Sequence, residues 1–333
     1  MHTERLRLEW LSLLRGLNIL LVVMAHAQLV DLTTGLNHPW ITALSVPFSH
    51  VRMPLFIFIS GGLLYLSRVQ RQWAVGRLYA DKARRILVPL VFFVVVYYAM
   101  KVAAGSVAKT PVDCSLRDFA ESFYLFEGHA SAPLWFLATL SCLMLLYPLF
   151  RWLCDDGRRM AAFWLFSVGI FFMDLTGLWS ENYFFLLSLN RYLVFFVTGI
   201  AFFRYRFYER TDSGAVFVAS LTAYVVLAWQ EVPLAASLTG LVMMVSGSQL
   251  LARRWPWLFS SFREYIYQVY LMSFIFQAFV ELVLWRTLFY DERLVVLFYL
   301  LNVLTGIYLP VLVAKAAERL PIEPFRLCLG IKG

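Results

Sequence analysis

The chain has 333 residues, of which 61% are hydrophobic and only 15% charged, with a mean hydropathy of +0.70 and a formal net charge of +8. A soluble chain carries roughly 45–50% apolar and about 25% charged residues, so these values exclude a soluble globular domain, a disordered chain, a disulfide scaffold and a collagen-like fibre. The apolar residues come in runs of about 20 rather than in alternation, which excludes an outer-membrane barrel and predicts an all-α polytopic membrane protein.

Ten apolar runs follow in chain order, at 13–31, 46–66, 86–104, 132–150, 160–178, 183–203, 214–230, 233–251, 264–284 and 294–314. At about 1.5 Å per residue, each approaches or exceeds the roughly 30 Å of a hydrocarbon core, so about ten transmembrane helices are expected. The first run is too long for a cleavable signal peptide and has no small-residue cleavage site, so it is expected to remain in the protein. Only Gln230, Glu231, Val232 and Pro233 separate the seventh run from the eighth, which predicts a tight helical hairpin. The longest loops, 67–85 and 105–131, are too short to bury a core of their own. A single membrane domain over 1–333 is therefore expected.

The basic residues orient the runs. With the N-terminus in the cytoplasm, 22 of the 29 Lys and Arg residues fall on cytoplasmic segments or their borders; the exceptions are Arg52, Lys101, Lys109, Arg117, Arg191, Arg286 and Arg293. This bias places both termini inside by the positive-inside rule. It also explains the basic balance as topology, so no nucleic-acid partner is expected. Cys114, Cys142, Cys154 and Cys328 show no CxxC spacing and no His-rich neighbour, so neither a disulfide framework nor a metal site is expected.

Ionisable groups inside a membrane span are costly and need a reason. In the first run Arg15 and His26 are eleven residues apart, which leaves them about 20° apart on one helical face and roughly 16 Å apart along the axis. Asn18 lies within about 60° of Arg15. Snorkelling of Arg15 and an interhelical hydrogen bond for His26 are the bland readings; the shared face argues for a lined cavity. The second run opens His50-Val51-Arg52 and reaches Ser60-Gly61-Gly62, a small-residue surface suited to close helix packing. In the basic stretch that follows, Lys82 and Arg85 are three apart and share a face of any helix there. That pair suits phosphate groups or, equally, anionic lipid. Asp174, Arg191, Glu264, Gln268, Gln277 and Glu281 are further polar residues within or beside the runs.

Together these segments are similar to the membrane acyltransferase-3 family. Leu14-Arg15-Gly16-Leu17-Asn18-Ile19-Leu20-Leu21-Val22-Val23, followed by His26, resembles its first-span signature, and Pro54-Leu55-Phe56-Ile57-Phe58-Ile59-Ser60-Gly61 its second. Lys82, Arg85 and Pro89 match an RxxR…P element, Leu134 to Leu137 an LWFL element, Phe195 to Gly199 a later aromatic-glycine element, and Tyr270-Leu271 a degenerate IYLxH. The chain departs from the pattern at Lys82, where an Arg is expected. It departs again at Pro133, with His129 four residues before it, and at Met272-Ser273, where a late histidine is expected.

The resemblance implies an O-acyltransferase of the bacterial cytoplasmic (inner) membrane, with acetyl-CoA as donor and a glycan or lipid-linked saccharide outside as acceptor. Arg15, Lys82 and Arg85 are then expected to hold the CoA phosphates. Arg52, Trp135 and Arg191 are the expected acceptor contacts. His26 is the expected catalytic residue, facing a cavity rather than lipid, either as general base or as carrier of a transient acetyl-imidazole. No metal is expected. The rival reading is a transporter or flippase in which the same residues line a path, although no duplicated halves are visible; a structural protein with a decayed site is a third.

Overall fold

The computed structural model describes residues 2–32, 34–105, 112–126, 128–173 and 186–331, with side chains from residue 9 in the first helix and from residue 188 in the tenth. All the regular secondary structure among the described residues is helical; one isolated bridge joins Val30 and Asn37. The helices are α1 (His2–His26), α2 (Pro39–Ser45), α3 (Arg52–Leu64), α4 (Val75–Lys82), α5 (Val88–Ala104), α6 (Leu116–Glu121), α7 (Trp135–Leu145) and α8 (Tyr147–Leu153). They continue with α9 (Gly157–Phe171), α10 (Leu186–Arg204), α11 (Gly214–Trp229), α12 (Pro233–Arg254), α13 (Ile266–Phe279), α14 (Val295–Arg319) and α15 (Glu323–Cys328).

Wide π turns extend three of these helices. Tyr65–Val69 prolongs α3, Ala83–Leu87 joins α4 to α5, and Val280–Leu288 prolongs α13. Among the described residues, six helices are long and apolar enough to cross a membrane: Glu9–His26, Pro39–Val69, Val75–Ala104, Pro233–Arg254, Ile266–Leu288 and Glu292–Arg319. The pair Ala132–Leu145 and Tyr147–Leu153, bent by 57°, makes a seventh if taken as one span. The bend falls where Pro148 has no N–H to give the preceding turn.

The other three expected spans fall on α9, α10 and α11, of 15, 19 and 16 residues. At 1.5 Å per residue, α9 and α11 reach only about 22–24 Å. Residues 174–185, which end one expected span and begin the next, lie outside the described residues, as does Asp174.

The chain divides into two compact units. The first comprises Met1–Ile59 and Phe202–Val313. Its centre is α1, whose Ile19 and Val23 are buried against Phe262, Ile266, Val269, Ile307 and Val311. Beyond the end of α1, Ala27 and Leu29 join Ile41, Val280, Trp285, Phe298 and Tyr299. The fully buried Trp285 donates its indole N–H to the carbonyl of Val30 at 2.9 Å, which satisfies its one polar atom. The expected hairpin is present as α11 and α12. Glu231 turns the chain at φ +56°, and Pro233 starts α12 where a missing N–H costs nothing. Gln249 of α12 ties the hairpin's base through Thr211 at 3.0 Å and the carbonyl of Tyr208 at 2.7 Å.

The second unit comprises Ser60–Ala201 and Ala314–Gly333. Here Trp164 of α9 donates to the Thr198 hydroxyl of α10 at 2.8 Å, and Phe150 of α8 meets Phe196 of α10 at 5.1 Å between ring centroids. The expected loop 67–85 is largely helical. Asp81 bridges Arg68 at 3.1 Å and Arg85 at 2.9 Å, and the Trp73 ring takes the guanidinium groups of Arg68 and Arg77 at 3.6 and 4.2 Å. These contacts fold the basic stretch back on itself and let α4 run into α5. The expected loop 105–131 likewise contains α6, capped by the hydroxyl of Ser115 on the N–H of Asp118.

Candidate functional site

The first unit carries Arg15, Asn18, His26 and Arg52; Lys82, Arg85, Trp135 and Arg191 belong to the second. Arg15 and His26 sit on one uninterrupted helix, α1, so the face deduced from their spacing is realised in the backbone. Arg15 is half-buried. His26 is the last residue of α1 and is exposed, with its ring edge-on to Phe274 of α13 at 6.0 Å between centroids.

Asn18 is fully buried and turned another way. Its Nδ2 donates to the carbonyl of Arg52 at 3.0 Å, fastening α1 to the start of α3. A 60° offset on a helix is enough to send a side chain to a different neighbour, so Asn18 serves packing rather than the Arg15 face. Close approach continues at Gly16, where an added Cβ would stand 3.0 Å from Phe259 Cβ. The half-buried Arg52 therefore meets α1 through its backbone.

In the second unit Lys82 is half-buried at the end of α4. Arg85 follows within the π turn, its side chain 46% exposed and paired with Asp81. The π turn spreads the two positions further around the axis than an α-helix would. Asp81 has no place among the residues expected at the site, although its spacing of four from Arg85 is the signal of a helical ion pair. Tyr147 secures the segment by donating its phenol O–H to the carbonyl of Trp73 at 2.8 Å. Trp135 opens α7, and its ring meets that of Tyr192 of α10 at 5.1 Å between centroids, tilted by 38°; the exposed Arg191 is the residue before Tyr192.

Among the described residues, Asp118, Glu121 and His129 each offer an atom within 4.8 Å of the others, a grouping that could hold a metal ion and that the sequence reading did not foresee. Two of them already have partners: Glu121 accepts from Arg117 at 2.8 Å, and Asp118 accepts from the N–H of Asp113 at 2.9 Å. The hydrogen bond and charge of Glu121 hold the Arg117 guanidinium above its ordinary pKa. Lys101 donates to the carbonyl of His129 at 3.3 Å. All four cysteines are thiols outside any disulfide.

No curated protein and no solved structure matches the chain. A family-level profile described as an acyltransferase domain matches residues 8–314, which takes in α1 with Arg15 and His26, the Lys82–Arg85 segment, Trp135 and Arg191. A match over that much of a many-helix apolar chain places the protein in the membrane acyltransferase-3 family.

Proposed function

We propose that the protein is an O-acetyltransferase of the bacterial cytoplasmic (inner) membrane, moving an acetyl group from cytoplasmic acetyl-CoA to a hydroxyl of an extracytoplasmic glycan or lipid-linked saccharide. The observation that carries this reading is α1: inside the family match, one unbroken helix holds Arg15 and His26 eleven residues apart. That spacing sets them roughly 16 Å apart on nearly one face. It suits a donor whose phosphates and thioester lie at opposite ends of a long arm. Arg15, Lys82 and Arg85 supply cations for the phosphates.

His26, as a neutral imidazole, takes the proton of the acceptor hydroxyl. The oxygen so activated attacks the thioester carbonyl carbon, a C–O bond forms, the C–S bond breaks, and the CoA thiolate leaves with the proton His26 received. Membranes given radiolabelled acetyl-CoA are expected to label glycan with the wild type and not with His26→Ala. Equal labelling by both would remove His26 from the chemistry. Label held on the protein when acceptor is absent would instead make His26 the acetyl carrier.

The proposed topology has ten spans with both termini in the cytoplasm. Reporter fusions at Val75 and Ala120 are expected inside and outside, respectively; the opposite placement of either would overturn it. For the donor, Arg15→Ala and Arg85→Ala are each expected to weaken acetyl-CoA binding by about 10-fold or more, the loss of a charged hydrogen bond. Lys82→Arg is expected to bind as well or better, because it gains a planar fork. Unchanged affinity in both alanine variants, measured on purified protein, would move the donor site elsewhere.

A further inference from the structure

His26 ends α1, and helix ends are where backbone carbonyls lose their intrahelical partners. Two buried amides from other helices meet the backbone on either side of it. Gln277 of α13, 2% exposed, donates from Nε2 to the carbonyl of Val23 at 2.8 Å, a carbonyl that also receives the N–H of Ala27. Asn302 of α14, fully buried, donates from Nδ2 to the carbonyl of Gln28 at 3.4 Å. The chain is thus held three residues before His26 and two after it.

A third feature shows that the surroundings are shaped to admit the first of these bonds. A Cβ on Gly306 of α14 would come within 2.9 Å of both Cγ and Cδ of Gln277 and 3.0 Å of Val23 Cγ1. Only a glycine lets α14 pass over the Gln277–Val23 contact undisturbed. α13 also supplies Phe274, three residues before Gln277 and so on the same helical face, whose ring meets the imidazole of His26. Because His26 is exposed, burial alone does not fix its direction; the backbone it stands on contributes.

We propose that Gln277 is a positioning residue for His26, its hydrogen bond to Val23 setting the last turn of α1 and hence the direction of the imidazole, with Asn302 holding the far side. This rests on the reading of His26 as the reacting base. The alternative is interhelical adhesion with no bearing on the reaction.

The two differ in which substitution is tolerated. Gln277→Leu fills the volume but loses the donor; Gln277→Glu, buried and therefore kept protonated, retains an O–H for Val23. Initial rates of label transfer from radiolabelled acetyl-CoA are measured in native membranes at varied donor concentration, normalised to the amount of full-length protein. Gln277→Leu is expected to lower the maximal rate by about 10–100-fold, as a small misplacement of a catalytic group does, with KM for acetyl-CoA within about twofold. Gln277→Glu is expected to keep most of the rate.

Gly306→Ala, which displaces the amide without removing it, is expected to show the same fall in rate at unchanged KM. It carries the test if Gln277→Leu does not accumulate. A wild-type maximal rate in Gln277→Leu or in Gly306→Ala, or a leucine variant faster than the glutamate one, would overturn the proposal. His26→Ala in the same assay separates the two levels. If it is inactive while Gln277→Leu is normal, only the positioning role falls. If it is active, the reading of His26 falls and the positioning role with it.

Discussion

In native membranes supplied with labelled acetyl-CoA, His26→Gln is expected to lose acyl transfer by about 10²–10⁴-fold, the contribution of a positioned general base, while the protein accumulates at its normal level. Glutamine keeps a polar, hydrogen-bonding side chain of similar reach at the end of α1 but cannot take up a proton at physiological pH. His26 is exposed and its described ring contact is the edge of Phe274, so the exchange removes little buried surface. The packing of α1 rests on Ile19 and Val23, both fully buried, two turns and one turn earlier respectively. Chemistry and folding are therefore separable at this position. Near-normal turnover in His26→Gln would make His26 a packing residue. A parallel loss of protein would assign it to the fold instead.

What could be read from the sequence follows from which forces act locally. The apolar runs are visible because a span needs about 20 such residues in succession, and six of the ten coincide with helices long enough to cross, with a seventh at the bent α7–α8 pair. Arg15 and His26 can be placed relative to each other because a single unbroken helix links them, so periodicity alone suffices. Residues whose partners lie on other helices were less legible. Periodicity groups Asn18 with Arg15, yet it bonds the Arg52 carbonyl; Gln277 stands out only as polar and Asn302 not at all, although both meet carbonyls of the α1 segment.

From the sequence the stretch 67–85 reads as a loop because it lies between two apolar runs. Its helicity depends on Asp81 joining Arg68 and Arg85 and on Trp73 between two guanidinium groups, which are contacts no linear period reports. A single π turn differs too little from an α turn over five residues to leave a periodic mark. The cap of α6 by contrast was available, as Ser115 followed by Asp118 is a start signal in the sequence itself.

The small-residue surface Ser60-Gly61-Gly62 was legible as a place for close packing, and Gly61 gives it a measurable consequence. A Cβ there would stand 2.2 Å from the carbonyl oxygen of Phe196 and 3.0 Å from its carbon. The obstacle is backbone, not a flexible side chain, and it is poorly placed to retreat because Phe196 is fully buried with its ring against Phe150. Two terms of opposite sign compete in Gly61→Ala. Helix propensity favours alanine by about 0.8–1.0 kcal/mol, and overpacking against fixed backbone costs about 1–3 kcal/mol or more. At 2.2 Å the second prevails, so the purified variant is expected to melt below the wild type and to accumulate less. Gly169→Ala is the control: it lies in α9 with nothing within 4 Å of an added Cβ, so only the propensity term remains and the variant is expected to melt at or above the wild type. If Gly61→Ala matched Gly169→Ala in thermal unfolding, α3 and α10 would not approach as closely as their backbones do here.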